Sequence, residues 1–144
     1  MSIWRTIPDL SNLNLLAKDS MIGHLGIEIY EIGEDYIRGR MPVNNHTRQP
    51  FGILHGGASV ALAESIGSFA SGCCIDSATK IAVGLDINAN HIRSVPTGNL
   101  VIGTARPLHI GASTHVWDIR IETEGGKLVC ISRLTMAIID RRDG

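Results

Sequence analysis

The sequence predicts an α+β domain in which one long helix is wrapped by a curved antiparallel β-sheet. Residues 56–75 are rich in Gly, Ala and Ser and are apolar on nearly all faces, which is typical of a buried helix. Several other segments alternate apolar and polar residues with a period of two, as half-buried strands do. The order is two strands, the long helix and four strands, and a sheet that curves around the helix satisfies it.

The chain before the long helix predicts a short helix, a hairpin and a loop. Residues 9–18 favour a helix, because an Asp or Ser near their start can cap its N-terminus. Residues 27–29 and 37–41 alternate in polarity on either side of a Gly-Glu-Asp turn, so a hairpin is expected. Residues 44–52 predict a loop, since Asn-Asn and Gln-Pro-Phe-Gly favour turns.

The chain after the long helix predicts four strands. They are expected at residues 80–93, 100–105, 117–121 and 128–139, with turns at Pro-Thr-Gly-Asn and Gly-Gly between them. The last segment is a near-continuous apolar run. Such a run is typical of a strand that lies inside its sheet, with a neighbour on each side.

Length and composition limit the function classes. A length of 144 residues predicts one domain, residues 1–144, with a core that needs neither disulfides nor a structural metal. A net charge of −1 and 4% aromatic residues argue against a nucleic-acid partner. No apolar run reaches the roughly 20 residues that span a bilayer, and the N-terminus lacks the features of a signal peptide, so no membrane partner is expected.

Cysteine and histidine usage predicts a reduced, metal-free protein. The three cysteines show no disulfide framework, which favours a cytoplasmic protein. The adjacent pair, Cys73 and Cys74, is expected to be small apolar filling of the core. The six histidines lack the spacing of a zinc site, so no metal is predicted.

Residues 48–68, RQPFGILHGGASVALAESIGS, are the most informative run for function. A lone carboxylate, Glu64, stands inside a small-residue helix, where burial without a partner or a task is costly. The N–H of Gly56 lies at the expected helix N-terminus, where unpaired N–H groups and the positive dipole end favour an oxyanion. Glu64 is the natural nucleophile or general base.

The spacing of Gly56 and Glu64 predicts a dimer. Eight residues separate them, which is about 12 Å along a helix. A single thioester carbonyl cannot contact both groups. Two antiparallel copies of the helix would bring Gly56 of one copy near Glu64 of the other, so a catalytic motif requires two subunits and forms two equivalent sites.

Three further side chains are candidates for catalysis, each with a purely structural alternative. Ser68 follows Glu64 by one helical turn and could position water or the carboxylate, or could hydrogen-bond back to a helical carbonyl. Gln49 and His55 could orient or polarise the thioester. Gln49 could equally be a loop residue, His55 a helix cap, and Glu64 itself a structural acid.

Several motifs resemble one enzyme family. They are HLGIEI from His24, MPV from Met41, QPFGILHGG from Gln49, HGGASVALAESIGS from His55, NANHIR from Asn88 and PLHIG from Pro107. Together they resemble the hotdog-fold acyl-CoA thioesterases of the 4-hydroxybenzoyl-CoA (Arthrobacter-type) and phenylacetate-pathway group. Within it the chain is most similar to the 1,4-dihydroxy-2-naphthoyl-CoA hydrolases of menaquinone biosynthesis and to the enterobactin proofreading thioesterases.

The resemblance implies a function and a set of binding residues. It implies hydrolysis of acyl-CoA at a site that straddles the subunit interface of a homotetramer, with no cofactor, because coenzyme A is part of the substrate. The residues it assigns to substrate and CoA are Gly84, His91, Ile92, Arg93, Ser94, His109, Ile110, Gly111, Ala112 and Ser113. The chain departs from the family at Ser94, where Pro is frequent, and at Ala112, where Arg or a similar polar residue is frequent.

Other functions stay open at this point. The acyl group could be dihydroxynaphthoyl, hydroxybenzoyl or a medium-length chain, carried by CoA or by an acyl carrier protein. A hydratase or dehydratase of acyl carrier thioesters would use the same fold, and thiol release distinguishes it. A non-catalytic acyl-CoA-binding regulator is the alternative outside enzymes, and the presence of Glu64 argues against it.

Overall fold

The computed structural model describes residues 1–142. The last two residues of the predicted 1–144 domain, Asp143 and Gly144, lie outside the described residues. The helices are α1 (Leu10–Ala17), α2 (Met21–His24) and α3 (Gly56–Cys73). The strands are β1 (Glu28–Ile32), β2 (Ile37–Pro42), β3 (Lys80–His91), β4 (Leu100–Ile110), β5 (Thr114–Thr123) and β6 (Leu128–Asp140). The predicted α+β class and element order are confirmed.

The six strands form one antiparallel sheet in the order β1-β2-β4-β5-β6-β3. The apolar strand β6 pairs with both β5 and β3, so the prediction that it lies inside the sheet is confirmed. The sheet extends beyond the predicted β4, because β4 continues through Pro107 to Ile110 with a bulge between Pro107 and His109. A bulge can accommodate a proline in a paired strand.

The two edges of the sheet differ in how they are covered. At β1, the side chain of Asn14 on α1 takes the place of a strand: its Nδ2 donates to the carbonyl of Ile29 at 2.8 Å, and its Oδ1 accepts the Ile29 N–H at 2.9 Å. At β3, no strand among residues 1–142 pairs with the outer edge. Twelve residues of backbone therefore remain open on that side.

One face of α3 packs against the sheet. Leu62, Ala63 and Ile66 on this face are fully buried, together with Trp117 of β5. Small residues allow the close approach: a Cβ at Gly67 of the helix would lie 2.5 Å from the Cδ2 of Leu134. The helix therefore rests directly on the strands, which fixes the side chains of its opposite face relative to β3.

The opposite face of α3 corrects the expectation that the helix is buried on all sides. Gly57, Val60, Ala61, Glu64 and Ser65 on this face are all half-buried or exposed. Periodicity reports only that a face is made of small, apolar residues. It does not show whether the same chain or another chain covers that face, and here α2 of the same chain covers it only in part.

Candidate active site

A tight loop, residues 49–54, leads directly into the N-terminus of α3. The N–H of Gln49 donates to the carbonyl of Ile53 at 2.8 Å, and Gly52, at a φ of 84°, donates back to the carbonyl of Gln49 at 3.0 Å. The Leu54 N–H then donates to the carbonyl of Val95 at 2.8 Å, so the loop is fastened to the segment that follows β3. The predicted loop is confirmed, and its fastening places Gln49 beside the helix N-terminus.

His55 is the N-cap of α3. Its Nδ1 accepts the N–H of Gly57 at 2.8 Å, and its carbonyl accepts the N–H of Ala58 at 3.0 Å. The structural interpretation of His55 as a helix cap is therefore confirmed. Only its Nε2 is left to contact a substrate.

The N–H of Gly56 is free to bind an oxyanion. Among residues 1–142 it has no hydrogen-bond acceptor. The imidazole of His91 lies against Gly56, since a Cβ at Gly56 would come within 2.9 Å of the His91 Nε2. A glycine here thus leaves room for a substrate carbonyl and for His91 at the positive end of the helix dipole.

A cavity of about 290 Å³ opens at this end of the helix. Its lining brings together six predicted site residues: Gln49, Gly56, His91, Ile92, Arg93 and Ser94. The Oε1 of Gln49 accepts the N–H of Phe51, which orients the side-chain amide and leaves its Nε2 as a donor. The cavity therefore offers N–H donors from both backbone and side chain, together with the guanidinium of Arg93.

The carboxylate of Glu64 lies against β3. A Cβ at Gly84 would come within 2.9 Å of the Glu64 Oε2, so only a glycine at that strand position admits the carboxylate as it stands. Glu64 has no hydrogen-bond or ion-pair partner among residues 1–142. A structural acid in a half-buried position needs such a partner, so the geometry favours a chemical role.

A second cavity, of about 440 Å³, opens at Glu64. Ser68 lines it too, and its Oγ lies 3.8 Å from the Sδ of Met136. The alternative that Ser68 bonds back to a helical carbonyl is wrong; that bond belongs to Ser65, whose Oγ donates to the Ala61 carbonyl at 2.6 Å.

The far wall of the Glu64 cavity is formed by Met21 and Ile22 of α2. The sequence pattern predicts no helix here, because four residues are too few to show helical periodicity. The available signal was Ser20, whose Oγ accepts the Ile22 N–H at 3.3 Å as an N-cap. This wall is largely apolar, so the cavity suits an apolar acyl group.

Three polar side chains of α3 each contact one of three residues that pair with one another across the sheet. Gly84, Met136 and His115 are register partners across β3, β6 and β5. Above them stand Glu64 over Gly84, Ser68 over Met136, and Ser71 over His115. The helix thus crosses the strands with Glu64 at the open β3 edge.

The predicted CoA residues fall into two groups that one chain does not join. Ser113, in the turn between β4 and β5, accepts the N–H of Ile138 at 2.9 Å. His91 pairs with Cys130 of β6. Cys130 and Ile138 are eight residues apart, which is about 26 Å along that strand. Residues 109–113 therefore lie at the opposite end of the sheet from residues 91–94, and Gly84 lies beside the Glu64 carboxylate.

The cysteines offer no nucleophile. Burial raises the pKa of Cys74 to about 12, with a smaller contribution from neighbouring Cys73, whose own pKa burial also raises. Burial likewise raises the pKa of Cys130. Protonated thiols are weak nucleophiles and poor metal ligands. Across residues 1–142 there is also no grouping of three His, Cys, Asp or Glu side chains placed to hold a metal ion, and no helix long and apolar enough to cross a membrane.

The fold and these two cavities define a hotdog-fold thioester hydrolase, and comparison with known proteins supports this class. Residues 51–130 match the thioesterase superfamily model, so the chain belongs to that superfamily. A mutant thioesterase from Pseudomonas aeruginosa superimposes with a TM-score of 0.95 at 47% identity, covering 97% of this chain and 100% of that one. A Haemophilus influenzae thioesterase gives a TM-score of 0.92 at 51% identity, covering 96% and 95%.

Two curated relatives are similar over nearly the full length. The chain is 50% identical to the 1,4-dihydroxy-2-naphthoyl-CoA hydrolase of Escherichia coli, over 95% of this chain and 99% of the relative. It is 42% identical to the proofreading thioesterase EntH of Cronobacter turicensis, over 95% and 98%. The resemblance drawn from the motifs is confirmed at the level of the family.

Proposed function

We propose that the protein hydrolyses aromatic acyl-CoA thioesters, with the catalytic groups of each site supplied by two subunits. One observation carries the proposal: the unpartnered Glu64 carboxylate and the unpaired Gly56 N–H lie eight residues apart on one helix, and each opens on its own cavity. The naphthoyl-CoA hydrolase among the relatives supports an aromatic acyl group. The largely apolar wall at Met21 and Ile22 fits such a group.

A two-fold axis beside the middle of residues 56–64 would assemble both sites. Val60 lies midway between Gly56 and Glu64 along α3. On β3, Gly56 abuts His91 and Glu64 abuts Gly84, and the midpoint of that strand segment is at residues 87–88. An axis that passes beside both midpoints, on their open side, places Gly56 near the partner's glutamate, because it inverts the helix and the strand together.

The open edge of β3 supports the same arrangement. Twelve residues of unpaired backbone form this edge, and two of its apolar side chains, Val83 and Leu85, are 39% and 64% exposed. A long, apolar, uncovered edge is a template for pairing with another strand. Antiparallel pairing of two β3 strands would close the edge and continue the sheet across the dimer.

The dimer would also unite the two groups of CoA residues. Inversion of β3 brings residue 84 of one subunit opposite residue 91 of the other. The partner's 109–113 turn, which lies at the residue-84 end of the sheet, would then approach residues 91–94. We propose that the smaller cavity receives the CoA arm and the larger one the acyl group. The homotetramer and the cytoplasmic location stay predictions.

The chemistry follows from the donors and the carboxylate. The thioester carbonyl accepts the Gly56 N–H, and the helix dipole stabilises the negative charge that develops on its oxygen. The partner's Glu64 either attacks the carbonyl carbon, giving an anhydride that water cleaves, or removes a proton from an attacking water. In both routes the C–S bond breaks and CoA leaves as the thiolate. The products are the free acid and CoA, and no cofactor enters.

The test is a thiol-release assay with aromatic and aliphatic acyl-CoA esters. We expect kcat/KM for 4-hydroxybenzoyl-CoA and benzoyl-CoA to exceed that for hexanoyl-CoA by about tenfold or more. Glu64→Gln should lower kcat by about 10²–10⁴-fold with the fold retained. The control is Glu122→Gln, the same exchange on the sheet face that points away from α3. Full activity of Glu64→Gln would refute the role of the carboxylate, and an aliphatic preference would refute the aromatic substrate.

A further inference from the structure

Ser71, His115 and Trp117 form a polar cluster in the apolar core, beneath the C-terminal half of α3. Each is at most 1% exposed. The Trp117 Nε1 donates to the Ser71 Oγ at 2.7 Å, and the same Oγ lies 2.9 Å from the His115 Nδ1. Buried polar groups are costly unless they are hydrogen-bonded, and bonded clusters hold their surroundings in one arrangement.

The hydrogen bonds determine how His115 is held. Because the Ser71 Oγ accepts from Trp117, its own hydrogen is available to the Nδ1 of His115. His115 is also the register partner of Ile110 across β4 and β5, so its backbone lies directly beside the 109–113 turn. Burial first, and then His109, lower the pKa of His115, which keeps the ring neutral. His115 therefore connects Ser71 of α3 to the strand ends that carry the 109–113 turn.

Gly111 lies in the 109–113 turn, which is closely packed. The Gly111 N–H donates to the Thr114 carbonyl at 2.9 Å, and a Cβ at Gly111 would come within 2.4 Å of the His109 Nε2. The Ser113 carbonyl in this turn also accepts a hydrogen bond from the N–H of Ile138. A change at His115 would therefore be transmitted to the backbone of this turn.

We propose that His115 is a positioning residue for coenzyme A, holding the 109–113 turn against α3 through its hydrogen bond with Ser71 and its pairing with Ile110. The proposal rests on the proposed function, because it takes the turn as part of the CoA site. His115 touches neither the thioester nor Glu64. Its effect should therefore fall on the binding of the nucleotide part of the substrate and leave the chemical step unchanged.

Two substrates with the same acyl group separate these effects. 4-Hydroxybenzoyl-CoA carries the nucleotide, and the N-acetylcysteamine thioester of the same acid does not. We expect His115→Phe to raise KM for the CoA ester about tenfold, which corresponds to about 1.4 kcal/mol and to the loss of one buried hydrogen bond. The kcat for that ester, and both constants for the short thioester, should stay as in the wild type. His115→Gln, whose amide both donates and accepts, should restore the KM.

A binding measurement tests the inference independently of hydrolysis. Isothermal titration with free CoA should show about tenfold weaker binding to His115→Phe than to the wild type. Ser71→Ala removes the same connection from the helix side and should weaken binding likewise, which covers the case that His115→Phe does not fold. Unchanged CoA affinity in both variants would overturn the inference, as would an equal loss on both substrates. If the wild type binds CoA but hydrolyses neither ester, the proposed function fails while the binding comparison still decides the role of His115.

Discussion

Mixed dimers of two inactive variants should regain activity. Glu64→Gln removes the carboxylate. Gly56→Pro removes the N–H at the first position of α3, where the helical backbone accepts proline, and its ring also displaces His91 of the same site. Each variant alone should lose about 10²–10³-fold or more in kcat. In a dimer that contains one of each, one site has both defects and the other has neither. The distance of about 12 Å between the two groups on one helix is the reason that the intact site must draw on both chains.

The expected activity follows from counting sites. A heterodimer isolated through two different affinity tags should show about half of the wild-type kcat per dimer, and a random mixture about a quarter, because half of its dimers carry one intact site. These values stand far above the roughly 1% left in either parent. Thiol release from an aromatic CoA ester is the assay, and wild-type protein carrying both tags is the control. A heterodimer no more active than its parents would refute the shared site.

Three further perturbations test single contacts. Gly84→Ala should lower kcat about tenfold to hundredfold, because its Cβ would displace the Glu64 carboxylate, whereas Gly72→Ala on α3 meets open space and should leave kcat unchanged. The free energy of unfolding in urea should be highest above about pH 6.5 and should fall as the pH decreases below it, because burial lowers the folded-state pKa of His115 beneath its unfolded value. His115→Gln should flatten this pH dependence, and an unaltered slope would contradict the assignment to His115. Asn14→Ala should lower the free energy of unfolding by about 1–2 kcal/mol in chemical denaturation and promote aggregation, since it leaves the backbone of Ile29 at the sheet edge unpaired. A loss no larger than that of Asn12→Ala would argue against the role of the Asn14 side chain at this edge.

Much of the fold could be predicted from the sequence because local patterns determine it. The alternation around Trp117, Ile119 and Ile121 predicted a half-buried strand, and all three residues are fully buried on one face of β5. The neighbours of β3 could not be predicted in this way. β3 pairs with β6, which follows two intervening strands along the chain, and register of this kind depends on long-range packing.

The candidate site was predictable in its parts but not in its grouping. Spacing along α3 alone indicated that Gly56 and Glu64 cannot serve one carbonyl within one chain, and the separate cavities agree with that prediction. The contacts of Gly84 with Glu64 and of His91 with Gly56 could not be foreseen, since they depend on how the helix crosses the sheet. The same holds for the wide separation of residues 109–113 from residues 91–94.

Val60 acts as a spacer in the proposed dimer. It lies midway between Gly56 and Glu64 on the partly covered face of α3, so the two-fold axis sets it against its own copy in the partner. The bulk of this one side chain then determines how closely the two helices approach, and with it the gap between N–H donor and carboxylate in both sites at once. A substitution at this position therefore acts from both helices at once, and the donor-to-carboxylate gap changes by the same amount in the two sites.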